Sequence, residues 1–170
     1  MTSMEERLRS IEDRLEIYNV IATHPLTGDT GERAIVDAFY ADDVVVDRGN
    51  GDEPHDRDAM AEVLGRAEHR AAIAAGLAHF GNLPLVDLEG DTATAISYIA
   101  LLTPDTDGHI RHLANHGDSR GYRVHRVGVN VWSLKRTGAG WRVAARTVRM
   151  VGDGAHELLS EAGRRHLARE

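Results

Sequence analysis

The sequence contains no cysteine, which removes disulfides and thiolate metal ligands together. Any nucleophile or ligand must therefore be an oxygen or an imidazole. No run approaches the roughly 20 apolar residues of a membrane span, and the stretch from Met1 to Arg7 is charged without an apolar signal core. A cytoplasmic protein with no membrane contact is expected. Internal repeats and low-complexity segments are also missing. Acidic residues vanish between Ser119 and Val151, where Arg120, Arg123, Arg126, Lys135, Arg136, Arg142, Arg146 and Arg149 carry positive charge. The net charge of −7 still argues against a nucleic-acid surface. The basic run is expected to meet acidic residues of the first half or of a neighbouring subunit, with one or two arginines free to hold an anionic oxygen.

What is present fits one domain, because 170 residues at 42% hydrophobic content supply one sizeable core. Leu8, Ile11, Leu15, Tyr18 and Ala22 recur at helical spacing and predict an amphipathic helix from Glu5 to about Thr23, which Pro25 ends or kinks. Thr27 to Gly31 is rich in turn formers. Ile35, Val36, Phe39 and Tyr40 mark a short second helix, Val44 to Val46 a strand, and Asn50 to Pro54 a loop. Asp56 is placed to cap a third helix, with Met60, Val63, Leu64 and Ala67 on one face, fading toward Gly76. From Leu77 the period becomes strand-like. Two hairpins follow, His79–Leu88 with Thr92–Leu102, and Tyr122–Lys135 with Trp141–Val151, separated by a polar loop from Thr103 to Gly121. Ala155 to Leu167 reads as a terminal helix. Helices followed by long meandering strands exclude a doubly wound parallel sheet, which needs a helix at each crossover.

Five short stretches resemble the SnoaL-like branch of the nuclear transport factor 2-like superfamily. They are Arg14-Leu-Glu-Ile-Tyr through Gly28-Asp29, Phe39-Tyr-Ala-Asp-Asp-Val-Val-Val-Asp47, Ala78-His-Phe-Gly-Asn-Leu83, Gly90-Asp-Thr-Ala-Thr-Ala-Ile-Ser-Tyr98 and Gly140-Trp-Arg-Val143. Their order spans nearly the whole chain. The resemblance implies a single α+β domain over residues 1–170: a cone-shaped curved antiparallel sheet wrapped around three N-terminal helices, with a C-terminal helix. That superfamily includes dehydratases, a dehydrochlorinase, isomerases, polyketide cyclases and an epoxide hydrolase, and also domains that only bind or associate, so fold alone does not fix function.

Residue by residue, the resemblance places Asp29 and His79 at the positions where the dehydratase branch pairs an Asp after the first helix with a His on the strand after the third. His24 falls where a relative carries an aromatic hydroxyl, and Leu101 where it carries an acid. Arg149 is the counterpart of its last-strand arginine. The implied activity is a lyase or isomerase that uses no cofactor and acts on a medium-sized apolar ring compound such as a polyketide, steroid or terpenoid.

A His–Asp pair suits proton removal beside a carbonyl, because the carboxylate fixes the tautomer and leaves one ring nitrogen as base. His125, Asn130 and Arg149 on the late strands are candidate donors to the substrate oxygen. Trp141, Val143, Ala145, Thr147 and Arg149 share one parity, so Arg149 faces a pocket only if that parity points inward. Ile17, Ile21, Phe39, Tyr98, Val127 and Val129 are candidate apolar walls. Against this stand plainer roles: a structural histidine at His79, a turn residue at Asp29, and a distorted helix end at His24. A binding or association domain of the same fold is the alternative.

His109, His112 and His116 are spaced like metal ligands but sit in a loop with no carboxylate fixed beside them, so no metal site is expected. The loop is expected to cover a pocket mouth. The remaining expectation is a homodimer or homotrimer, because the basic run would repel itself if left uncovered.

Overall fold

The computed structural model describes residues 3–49, 51 and 53–168. The first helix, α1 (Met4–Ala22), opens with a reciprocal cap: Ser3 Oγ accepts the Glu6 N–H at 3.1 Å, and the Glu6 carboxylate accepts the Ser3 N–H at 2.7 Å. Its orientation reverses the expected one. Asp13, Ile17 and Ile21 form the buried line, whereas Leu8, Ile11 and Leu15 are 54%, 55% and 57% exposed. Asp13 is held on this buried line, its carboxylate pairing with Arg136 at 2.6 Å and accepting from the Trp141 indole at 3.2 Å.

α1 ends at Ala22, close to the expected Thr23, and Pro25 also serves a second helix. That proline lies in the first turn of α2 (His24–Thr30), where its missing N–H is not needed. Gly31, at φ 64°, closes α2 in the left-handed region. Then come α3 (Arg33–Phe39) and β1 (Tyr40–Asp47). The expected loop at Asn50–Pro54 lies partly outside the described residues, at Asn50 and Asp52. Asp56 caps α4 (Arg57–Leu64), accepting the Ala59 N–H at 2.8 Å. The expected long third helix is two, because the chain turns at Gly65-Arg66 and restarts as α5 (Ala67–Ala74).

The strands are β2 (Ala78–Gly81), β3 (Leu85–Glu89), β4 (Thr92–Pro104), β5 (Arg111–Leu113), β6 (Gly117–Ser119), β7 (Tyr122–Thr137) and β8 (Gly140–Met150), before the terminal α6 (Ala155–Leu167). The single strand expected over His79–Leu88 is broken around Pro84, and both halves pair with β4. The main sheet runs β1-β8-β7-β4-β2, with β3 also on β4, while β5 and β6 make a small hairpin inside the expected loop. All pairings are antiparallel except β1 with β8. Those two strands are far apart in sequence, so the crossover a parallel pair requires is available.

Two irregularities matter for the site. Leu101 pairs with Arg126 and Leu102 with Val124, which leaves His125 extra in β7. Ser133 pairs with Ala145 and Leu134 with Val143, which leaves Ala144 extra in β8. Each extra residue reverses which face the following side chains take. Thus Trp141 and Val143 are buried before Ala144, and Arg146 and Val148 after it.

The curved sheet packs on the helices through a core of Phe39, Tyr40, Val46, Trp132, Trp141 and Val143 with Ile17 and Ile21. Four of the eight cations of the basic run meet acidic residues within the chain. Lys135 pairs with Asp43 at 2.6 Å, Arg136 with Asp91 at 2.8 Å as well as Asp13, Arg123 with Asp105 at 2.6 Å, and Arg149 with Asp47 at 2.6 Å. Among the described residues, no helix is long and apolar enough to cross a membrane.

Candidate functional site

β2 lies on the sheet edge beside α2, so one side of its backbone lacks a strand partner. Asp29, in the last turn of α2, fills that role: its carboxylate accepts the His79 backbone N–H at 3.1 and 3.2 Å. The same carboxylate lies 2.6 Å from His79 Nδ1. A carboxylate only accepts, so Nδ1 carries the proton. Among the described residues nothing hydrogen-bonds Nε2, and His79 lines the cavity. This close approach depends on Gly28, where a Cβ would stand 2.9 Å from the His79 ring. Gly28 is tied in turn to α5, its carbonyl oxygen lying 2.6 Å from His69 Nε2.

His24, one turn before Gly28, is buried between Trp132 and Phe39, with ring centroids 5.0 and 5.7 Å away, and lies 6.4 Å from the His79 ring. Among the described residues neither of its ring nitrogens has a hydrogen-bond partner. Burial, with smaller contributions from the charges of Arg146 and His79, holds its pKa well below the ordinary histidine value, so the ring is neutral.

Arg146, on β8, is also buried. Its Nε donates to Asn130 Oδ1 at 2.9 Å, and its guanidinium carbon lies 5.1 Å from the Trp132 ring centroid. The Trp132 indole donates to Ser97 Oγ at 3.0 Å, which fixes the platform. Among the described residues no carboxylate pairs with Arg146, and burial lowers its pKa from the usual guanidinium value. The Tyr40 hydroxyl sits beside it without meeting hydrogen-bond geometry.

Two cavities meet here. The first, of ≈ 390 Å³, has Met60, Leu64, Ile99 and Val148 as walls, Arg146 in its lining, and Arg48 and Arg126 as exposed residues at its edge. The second, of ≈ 370 Å³, is bounded by Ile21, Phe80, Leu83, Tyr98, Asn130 and Trp132. His24, His79 and Ile99 line both.

The structure brings Asp29, His79, His24, Asn130 and Tyr98 to this region, Tyr98 being partly exposed at the second cavity. It does not bring Arg149 or His125. Arg149 follows the extra Ala144 on the opposite parity and is spent on Asp47, which raises its own pKa and depresses that of Asp47. His125 is the extra residue of β7 and is exposed. Ile17 and Phe39 are core residues, and Val127 and Val129 line neither cavity. Leu101 does line the first cavity. Sequence reasoning missed His69, Arg48 and Trp132, and it named Arg126 and Arg146 only as members of the basic run, one or two of which were expected to hold an anionic oxygen.

His109, His112 and His116 are exposed around the β5–β6 hairpin, away from both cavities. One carboxylate does stand beside them, since His112 Nδ1 lies 2.8 Å from Asp118 Oδ1 across that hairpin. Among the described residues no three His, Asp or Glu side chains are grouped to hold a metal ion.

The chain matches the SnoaL-like domain over residues 9–147, a span that holds His24, Asp29, His79 and Arg146. It belongs to the SnoaL-like family. Among solved structures it is similar to an NTF2-like protein with a cystatin-like fold from Novosphingobium aromaticivorans, at 31% identity and TM-score 0.78, covering 94% of this chain and 98% of that one. The SnoaL-like fold is shared at lower identity with the hexachlorocyclohexane dehydrochlorinase LinA-type3 of Novosphingobium barchaimii (12% identity, TM-score 0.64, 85% and 90% coverage). A scytalone dehydratase-like protein of Novosphingobium aromaticivorans shares it too (15%, 0.60, 88% and 89%). A comparison with curated proteins finds no match.

Proposed function

We propose that this SnoaL-like protein is a cytoplasmic, cofactor-independent lyase or isomerase in which His79 is the general base and Asp29 its orienting carboxylate. The observation that carries this is the 2.6 Å contact of His79 Nδ1 with Asp29, with Nε2 left free where two cavities meet. The proton on a carbon next to a substrate carbonyl would pass to Nε2, and the C–H electron pair would form a carbon–carbon double bond as the carbonyl π pair moves onto oxygen, giving an enolate. Loss of a β-leaving group then completes an elimination. Return of the proton at another carbon completes an isomerisation instead. The Asp29 carboxylate offsets the imidazolium formed. Cavities of ≈ 390 and ≈ 370 Å³ with mostly aliphatic and aromatic walls suit a medium-sized ring compound. Eliminations are also the reactions in the names of the dehydrochlorinase and the dehydratase-like protein that share the fold.

The test needs no knowledge of the natural substrate. A panel of cyclic ketones in D₂O is followed by proton NMR for exchange next to the carbonyl, with wild type and His79→Ala compared. Exchange well above buffer that disappears in the variant supports the base. No acceleration for any ketone, or equal acceleration by the variant, removes it.

Self-association as a homodimer or homotrimer belongs to the same proposal. Its support is the exposed aliphatic line Leu8, Ile11 and Leu15 on α1.

A further inference from the structure

We propose that the substrate is an elongated, mainly apolar carboxylic acid whose carboxylate seats on Arg146 in the first cavity, while its apolar remainder passes His79 into the second. This rests on the assignment of His79 as base, and it adds the chemical class and the direction in which the molecule lies.

Arg146 is the decisive residue. A guanidinium taken out of water needs a counter-charge, and burial without one is costly. Arg146 is 8% exposed and has Asn130 and the Trp132 ring as partners, both neutral. Its Nε is occupied by Asn130, the neutral Tyr40 hydroxyl stands beside it, and among the described residues no carboxylate meets its terminal nitrogens. The guanidinium carbon lies 5.1 Å from the Trp132 ring centroid, and a planar guanidinium fork suits a carboxylate bound edge to edge.

The surrounding charge has the same sign. Arg48 and Arg126 line the first cavity, and among the described residues neither is paired with an acid. Asp153 is the one carboxylate in that lining, while Asp29 is engaged by His79. A neutral occupant would leave the buried guanidinium without a counter-charge through the whole resting complex, whereas an acid supplies one from the moment it binds. The second cavity has no Asp, Glu, Lys or Arg in its lining. Its walls, Ile21, Phe80, Leu83 and Trp132 among them, suit the apolar end. An acid held at Arg146 and extending toward Trp132 and Phe80 therefore presents its middle to His79.

Calorimetric titration with 4-phenylbutanoate and its uncharged isostere 4-phenylbutanamide at pH 7.5 tests this. The acid is expected to bind about tenfold or more tightly than the amide, the scale of one desolvated charge-assisted contact. Arg146→Gln should abolish that preference by weakening the acid alone, and Arg126→Gln should reduce it severalfold in a salt-dependent way. If Arg146→Gln does not fold, Arg146→Lys decides: it keeps the charge but not the fork, and should retain only part of the preference. His79→Ala should keep the full preference even if ketone exchange is unaffected by it, so failure of the base and failure of the acid site read differently. Equal affinity for acid and amide, no binding of either, or a preference that survives at Arg146 would overturn the assignment.

Discussion

His79 Nδ1 stands 2.6 Å from Asp29 Oδ1, and the backbone N–H of the same histidine donates to the same carboxylate at 3.1 Å. One side chain thus fixes both the ring and the strand that carries it. General-base catalysis contributes about 10²–10⁴ in rate, so His79→Ala should lower ketone exchange by that order. Asp29→Asn should cost a comparable factor, because the amide can donate to Nδ1 and favour the other tautomer. The double variant should be scarcely worse than either single one, as for residues acting as a unit. Losses that multiply in the double variant would show two independent groups.

Gly28→Ala separates positioning from stability. In a helix, alanine is intrinsically better than glycine by about 1 kcal/mol, yet here its Cβ would lie 2.9 Å from the His79 ring and the ring must move. A misplacement near 1 Å can cost about 10² in rate. Exchange activity should therefore fall at least about tenfold while urea unfolding changes by no more than about 1 kcal/mol. Unchanged activity would mean that the ring position is not critical.

The contact between Asp29 and His79 was legible because the resemblance placed them at positions that pair a carboxylate with a histidine. The arginine was not. Counting alternate residues from Trp141 puts Arg149 on the inner face, but the extra Ala144 reverses the alternation and puts Arg146 there. A bulge of this kind leaves no mark in hydrophobic spacing when the flanking residues are Ala, Arg and Thr. The rotation of α1 was hidden for a related reason. An aliphatic stripe normally marks the buried face, but here the buried line holds Asp13, paired at long range with Arg136 and Trp141. Pro25 marks the end of α1, but a proline serves equally well in a first turn, and the helix it opens was not legible. The order of elements survived these local errors because it rests on the change from helical to alternating period near Leu77.

Exposure of Leu8, Ile11 and Leu15 leads to a second expectation. Three aliphatic side chains at seam-like spacing favour contact with another copy, and the contact should be apolar. Sedimentation at micromolar concentration should give a dimer or trimer whose stability is nearly independent of salt. Ile11→Glu with Leu15→Glu should shift it to monomer. A monomeric wild type, or assembly unchanged by the double substitution, would rule out α1 as the contact.

His24 should make folding stability depend on pH below neutrality. Burial depresses its pKa well below 6.5 in the folded protein, while the unfolded chain titrates near about 6.5. Below that value the unfolded state binds a proton that the folded state refuses, so stability falls as pH falls and is fully present only above it. For one such group the loss between pH 7.5 and 5.5 is about 1.3 kcal/mol. The charged or titratable neighbours named by the same shift, Arg146 and His79, remain when His24 alone is changed. His24→Phe keeps an aromatic ring against Phe39 and Trp132 and removes the titration. Urea unfolding at the two pH values should therefore show a smaller drop for His24→Phe than for wild type, by about that amount. An equal drop in both proteins would mean that His24 takes up a proton as readily when folded as when unfolded, and its neutral role beside His79 would be lost.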